Sequence, residues 1–525
     1  MTDYEREQVL LWFTKEMPNA FIMKQRIKGI NTDVHFMNRC NVLPLGLWNE
    51  LINCAKRFSY QIEFTPEALK CLYDKNVNKK EIMSYFEELF LNAHDDKGNV
   101  IIPKDYQKES VYRLIKFRHC CLEITTSGGK TLISYMMFRY LYDIKGIRNF
   151  LYIIPSKDLV DQSMDDFEQY EGWVGGSHEW TSCTLTSKSR KKDKIASETV
   201  NILFSTFQLL ARRSKDFLSR FEVIFVDECH HMPANSMKRI IMNSADAGYV
   251  FGVTGTFPKF GGYNNFIVQS YIGPLVFQLS AYDLINTKKF ACPVIVVENI
   301  MRWADDKQKQ ILYESRQMKM KNDFQMGSKL FKAEADFIDS SAVRMKYICR
   351  LVSEMKQNAM ILFGDVHRGE YGKKIYDYLK DTTEKNIYYA DGDTPVANRK
   401  YYNECLENDT TGNTIIVASI KTYGEGIDLH NLYSIFLVNS LKSEKQLRQI
   451  LGRGMRNYTN PETGKKKKYV LLFDFIDDLR TDNYREREAP SVKFNYAWRQ
   501  FMEREKIYQE QKFPIYRRIS DFSPK

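Results

Sequence analysis

Apolar residues recur along this chain in two rhythms. Short runs that are apolar at nearly every position, "CLEIT", "FLYIIP", "NILFST", "VIFVDE" and "VFGVTG", alternate with longer stretches whose apolar residues return at helical spacing. A strand that is apolar on both faces must be covered on both, which is the condition of a parallel sheet flanked by helices. A second series, "AMILFG", "NIYYAD", "TIIVAS", "SIFLVN" and "YVLLFDF", repeats the pattern further on. The chain is therefore expected to be α/β, with two tandem doubly wound parallel-sheet lobes rather than one large sheet.

The flanks read differently. Near the N-terminus "AFIMKQ" and "TDVHFM" are predicted extended, while "LWNELINCAKRF" places Leu47, Leu51, Ile52 and Ala55 on one helical face. The turn-rich "NAHDDKGNVIIP", Asn92 to Pro103, marks a boundary. Residues from 286 to about 345 are polar, Lys-rich and partly helical by pattern. The C-terminal "FNYAWRQFMEREKIYQEQKFPIYRRI" has helical spacing and is expected to pack against a lobe. The domains expected are a small α+β domain over 1–98, lobes over 99–285 and 286–480, and a helical extension over 481–525.

A chain of 525 residues, 43% hydrophobic and 27% charged, has the apolar content for several cores. Its formal charge of +11 favours a polyanionic partner only weakly. The ten cysteines include no C-x2-C pair, so a zinc knuckle or redox pair is not expected. "MTDYEREQVLLWF" lacks the features of a signal peptide, and no apolar window approaches membrane-spanning length. A cytoplasmic protein is expected. The basic runs "KSRKKDK" and "GKKKKY" read as solvated loops in preference to phosphate contacts.

Chemistry first shows in "TTSGGKT", where the strand "CLEIT" ends at a turn of small residues. Backbone N–H groups of Thr126, Ser127, Gly128 and Gly129 can converge there on phosphate oxygens at a helix start. Lys130 would reach the outer phosphates, and Thr131 would offer its hydroxyl to Mg²⁺. The generic pattern wants glycine where Ile124 stands, and Ser127 replaces a common third glycine. Alone, the segment leaves open an ordinary strand-to-helix turn.

About a hundred residues on, "VIFVDECHH" ends an apolar strand with Asp227 and Glu228 side by side. Two adjacent carboxylates at a strand end need partners, and a metal ion with an ordered water supplies them. Asp227 would hold Mg²⁺, and Glu228 would deprotonate the water attacking the γ-phosphate of ATP. Cys229 reads as packing. In "QLRQILGRGMR", Gln449, Gly452, Arg453 and Arg456 fall at helical intervals near one face without acidic i+4 partners. Arginines so placed are candidates for completing the hydrolytic site from the second lobe.

These segments, in this order, resemble the motifs of superfamily 2 helicases and translocases over roughly residues 104 to 480. The resemblance implies two RecA-like lobes with ATP and Mg²⁺ as cofactors. It implies that Tyr106 and Gln107 of "DYQKESV" recognise adenine and that Gly426 and Asp428 of "ASIKTYGEGIDL" contact nucleotide. Gln449, Arg453 and Arg456 join Lys130, Asp227 and Glu228 as catalytic residues, the arginines as fingers. His230, Thr254 and Thr256 would couple hydrolysis to strand binding. Pro155, Ser156 and Gln162 of "IIPSKDLVDQ", Ser205 and Thr206 of "FSTFQLL", and Thr422 would touch the nucleic-acid backbone; Phe207 and Tyr423 read as core rather than as base-stacking rings.

The N-terminal stretch and lobe 2 segments such as "YYADGDTPVANRKYY" resemble, more closely, a bacteriophage recombination and repair helicase. The expected activity is ATP-dependent DNA unwinding or translocation on branched DNA, by a monomer. An RNA helicase, a duplex translocase and an ATP-gated annealing clamp stay open.

Overall fold

The structure, a computed structural model, describes residues 2–522 except 28, 97, 177–179, 188, 190, 245–246, 288–289, 304–323, 365–369, 424–428, 440, 442 and 480–494. The chain divides into two compact units, Met1–Leu279 and Ser280–Lys525.

The first unit opens with a two-stranded antiparallel pair, β1 (Thr14–Glu16) and β2 (Asp33–His35). Its main sheet has seven strands: β3 (His119–Ile124), β4 (Phe150–Ile154), β5 (Ser182–Leu185), β6 (Ile202–Thr206), β7 (Val223–Asp227), β8 (Tyr249–Thr254) and β9 (Leu275–Leu279). They are all parallel, in the order β5-β6-β4-β7-β8-β3-β9. Every residue of β4 and β6 is buried, as their unbroken apolar sequence requires. Leu151, Leu203, Ile224 and Val226 of the central strands are fully enclosed. Each such side chain contributes about 1.5–3 kcal/mol relative to exposure.

The N-terminal segment adds a core of its own against this sheet's helical layer. Val9, Phe13, Met37, Leu47 and Cys54 bury against Phe266 of the helix Tyr263–Tyr271. Gly46 approaches so near that a Cβ there would lie 1.8 Å from the Gln269 carbonyl oxygen. "AFIMKQ" is not extended. It forms most of the helix Ala20–Arg26, entered through Asn19 at φ 62°. The left-handed Asn19 turns the chain out of extended geometry, and Phe21 is exposed rather than laid into a sheet face.

The second unit repeats the architecture with β10 (Val294–Trp303), β11 (Ala359–Phe363), β12 (Asn386–Ala390), β13 (Thr414–Ser419), β14 (Ser434–Leu437), β15 (Val470–Asp478) and β16 (Ile515–Phe522). These strands are also all parallel, in the order β12-β13-β11-β14-β15-β10-β16. The C-terminal extension is helical over Tyr496–Glu510 and then supplies the edge strand β16. In the Lys-rich region after residue 286, β10 hides Glu298 and Asn299 inside the sheet, and Arg517 of β16 donates to Glu298 at 2.8 Å.

Candidate functional site: the carboxyl edge of the first sheet

Parallel register places the ends of five strands of the first sheet along one edge. Glu123 lies opposite Thr254, Val253 opposite Asp227, Val226 opposite Ile153, and Ile154 opposite Thr206. Ligands of open α/β sheets bind outside this carboxyl edge. The loop after β3, the acids after β7 and the threonines after β8 therefore share one rim. One strand, β8, stands between β3 and β7, so Thr254 arrives between Lys130 and Glu228.

The loop predicted to hold phosphate leaves β3 at Thr125, whose N–H donates to the Leu279 carbonyl at 3.1 Å, and turns as Gly128 N–H donates to the Thr125 carbonyl at 3.0 Å. Ser127 (φ 72°) and Gly129 (φ 73°) are both left-handed. Glycine adopts that region freely, whereas a serine there costs about 1–2 kcal/mol. A Cβ on Gly128 would meet Ile124 Cγ2 at 2.4 Å, and one on Gly129 would meet Gln107 Nε2 at 2.4 Å. The loop is thus closely packed behind both glycines, and its turn brings backbone N–H groups to a helix start, a setting that suits a phosphate chain. From it runs the helix Lys130–Asp143, with Lys130 and Thr131 in its first turn.

Gln107 is buried at the start of the helix Asp105–Phe117, where its Oε1 accepts from Lys104 N–H at 2.8 Å. Its amide nitrogen thereby lies against the loop. Tyr106 beside it is 6% exposed.

At the end of β7, Glu228 takes φ 49° and ψ 51°, a strained conformation for a residue with a side chain. Its N–H donates to Asp227 Oδ1 at 2.9 Å. Its carboxylate meets three groups. Lys130 Nζ lies 3.3 Å from Oε1, Thr254 Oγ1 donates to Oε2 at 3.0 Å, and His230 Nδ1 stands 3.1 Å from Oε2. His230 Nδ1 is also 2.8 Å from Thr254 Oγ1, which accepts from Thr256 N–H at 3.1 Å. Lys130, Glu228, His230, Thr254 and Thr256 are joined in one network. Cys229 is enclosed, and burial pushes its thiol far above the ordinary range. Gly252 makes room for it, since a Cβ there would lie 3.0 Å from the sulfurs of Cys121 and Cys229.

Among the described residues no three His, Cys, Asp or Glu side chains converge as a metal site. Asp227 and the Thr131 hydroxyl suit an ion whose remaining ligands are phosphate oxygens and waters.

Pro155 and Ser156 are half-buried on the rim, Thr206 is buried at the end of β6, and Gln162 is half-buried in the helix Lys157–Trp173. Neither Ser156 nor Thr206 caps the helix that follows it. Ser205 turns inward and donates to the Leu185 carbonyl at 2.7 Å. In the second unit the Thr422 hydroxyl is 2.7 Å from Ser419 Oγ, and Tyr423 is fully buried. Phe207 packs against the first unit's core. Gly426, Asp428 and the side chain of Arg453 lie outside the described residues.

The helix that carries Gln449 runs Glu444–Gly454, so Arg456 lies beyond it and not on its helical face. The reason is packing: a Cβ at Gly454 would meet Val470 Cγ2 at 2.9 Å, and the Gly454 carbonyl is taken by Lys467 Nζ at 3.0 Å. The Gln449 amide oxygen is buried with no hydrogen-bond partner among the described residues. Sequence reasoning missed Lys467 altogether. It is 6% exposed and donates also to the carbonyls of His430 (2.8 Å) and Leu432 (3.2 Å). Four identical lysines in a row carry no sign of which one turns inward.

With this geometry in hand, comparison with known proteins is specific. Residues 101–259 match the family described as type III restriction enzyme, res subunit, and residues 343–458 match the helicase conserved C-terminal domain. The chain is 25% identical over 493 residues to the ATP-dependent DNA helicase uvsW of Enterobacteria phage T4, covering 91% of this chain and 88% of that one. It is 21% identical over 406 residues to the DNA 3′-5′ translocase XPB2 of Sulfurisphaera tokodaii, covering 71% and 81%. Its fold is similar to that of Mss116p solved with ssRNA and AMP-PNP, with a TM-score of 0.52, 13% identity, and 89% and 81% of the chains covered.

Proposed function

We propose, from the premise that the chain is a superfamily 2 ATP-dependent helicase, that it is a DNA motor acting on branched intermediates of recombination, repair or fork processing. The observation that carries the hydrolytic part is the meeting of Lys130, Thr254 and His230 on the Glu228 carboxylate. The uvsW and XPB2 names, both of DNA enzymes, support DNA over RNA as the track.

ATP supplies the phosphoanhydride bond to be broken, and Mg²⁺ on its phosphates would be held by Asp227 and Thr131. The Lys130 ammonium, 3.3 Å away, occupies the Glu228 carboxylate. When Lys130 is drawn to the phosphates by the loop Thr126–Gly129, the carboxylate is released. Glu228, steadied by Thr254 and His230, then orients and deprotonates the attacking water. Gln107 reads the base from beside Gly129, with Tyr106 next to it. Gln449, Arg453 and Arg456, with Gly426 and Asp428, are assigned to the nucleotide from the second unit. Arginines in such a role contribute roughly 10³ to 10⁵ in rate.

Pro155, Ser156 and Gln162 are assigned to the sugar–phosphate backbone, where contacts set position without reading sequence. The segments of Thr206, which is buried, and Thr422, whose hydroxyl meets Ser419, are assigned there through their backbone N–H groups. Ser205 is left out, because its hydroxyl is committed to Leu185. No helix among the described residues is long and apolar enough to cross a membrane, which is compatible with action in a host cytoplasm.

The test is unwinding and annealing of a forked duplex by the intact chain and by Glu228→Gln. Unwinding by the intact chain, lost in the variant while ATP binding persists, is the expected result. Annealing that survives in the variant, with no unwinding by either protein, would replace the motor with an ATP-gated clamp.

A further inference from the structure

The lysine run 465–468 lies at the opposite edge of the second sheet from the segment Ile420–Tyr423 that follows β13. Gln357, Gly412, Tyr433 and Tyr469 stand just ahead of the strands that begin at Ala359, Thr414, Ser434 and Val470. Together with the turn Asn460–Lys465 they enclose a cup of about 620 Å³ at the amino edge of the sheet.

Four lysines, Lys356, Lys465, Lys466 and Lys468, line it. Their arrangement is built rather than accidental. Lys467 is pulled under the sheet by three carbonyls, including the one that ends the helix Glu444–Gly454. That anchor pins the backbone on which Lys466 and Lys468 remain exposed. Lys466 is further held by an antiparallel bridge to Thr459.

Four lysines share the lining with one carboxylate, that of Asp409, so the charge of the cup is positive among the described residues. Among the described residues none of the four lysines forms an ion pair. Asp409 is fixed by Thr411 N–H (2.8 Å), Thr411 Oγ1 (2.6 Å), Gly412 N–H (3.1 Å) and Asn413 N–H (2.8 Å), which hold its carboxylate on the turn and not against a lysine. Tyr469, 45% exposed, adds an aromatic face beside the positive charge. A groove that combines lysines with an accessible aromatic ring is the chemistry that takes single-stranded nucleic acid, with phosphates on the ammonium groups and a base on the ring.

We propose that this cup is a second nucleic-acid site, which holds a single strand at the amino edge of the second sheet, away from the motor track assigned to the carboxyl edge. For an enzyme of branched DNA, it would grip one strand while another is moved. The site does not depend on ATP hydrolysis.

The test is binding of a fluorescein-labelled oligothymidylate by the full chain across a salt series, without nucleotide. Three proteins are compared: the unaltered chain, the triple variant Lys465→Ala/Lys466→Ala/Lys468→Ala, and the triple variant with arginine at the same positions. Each single-strand phosphate neutralised contributes about 0.7 to the slope of log K against log salt, so the alanine variant should lose about 2 from that slope. The arginine variant should keep it. Thermal unfolding of the same samples reports on folding. A slope unchanged in the alanine variant overturns the proposal, as does a loss that arginine does not restore in a folded protein. Absence of ATP turnover by the unaltered chain would count against the motor and leave this slope readable.

Discussion

The Thr254 hydroxyl donates to Glu228 at 3.0 Å while accepting from the Thr256 backbone at 3.1 Å. It therefore ties the end of β8 to the proposed general base at the end of β7. Thr254→Val preserves shape and removes that tie. A hydrogen bond to a charged group contributes about 1.5–3 kcal/mol, so the turnover number for ATP should fall roughly 10- to 100-fold. The Michaelis constant should stay nearly unchanged. Steady-state ATPase kinetics with and without DNA separate the two quantities.

Lys130→Ala removes the charge assigned to the phosphates, and ATP turnover should fall to background. The variant also leaves Glu228, which is 13% exposed, without its cation. A circular dichroism melt should accompany the assay. Full turnover in a folded variant would reject the site.

Ser127 holds φ 72° where glycine would be unstrained. Ser127→Gly should keep ATPase activity and leave folding within about 1 kcal/mol, because relief of strain is offset by the greater freedom of the unfolded chain. Ser127→Val, β-branched in a left-handed position, should lower both stability and turnover. Denaturant titration and ATPase assays of the pair check this.

Arg344 is fully buried, holds both oxygens of Asp477 at 2.9 Å, and donates to the Val438 carbonyl at 2.6 Å. Arg344→Met would strand a carboxylate that is 3% exposed. Loss of one partner of a buried pair costs roughly 3–5 kcal/mol. Chemical denaturation should show a transition assigned to the second unit moving by that amount.

Burial pushes Lys467 from its ordinary range down to about 8, chiefly through desolvation. Between about 8 and the unfolded value of 10.5 the unfolded chain binds more protons than the folded one. Stability from this group therefore rises with pH across that window. The melting temperature of the unaltered chain, measured against Lys467→Met from pH 8 to about 10.5, should show a relative upward slope. A parallel pair of curves would reject the assignment.

Much of this protein was legible in local pattern. "FLYIIP", "NILFST" and "TIIVAS" could only be strands covered on both faces, because so continuous an apolar run has no exposed side to spare. Asp227 and Glu228 announced themselves as charges at the end of such a run. Other strands escaped notice: β10, "VIVVENIMRW", starts apolar and then carries Glu298 and Asn299, and β16, "IYRRISDF", reads as polar. β10 hides Glu298 behind Arg517 from β16, and that partner lies over two hundred residues away. Which strand separates β3 from β7, and hence that Thr254 reaches Glu228, depends on the order of pairing in the sheet. The same holds for the one lysine of four that turns inward. Local composition decides whether a segment is covered, but what covers it is chosen by distant parts of the chain competing for the same face, and that choice exists only in the folded protein.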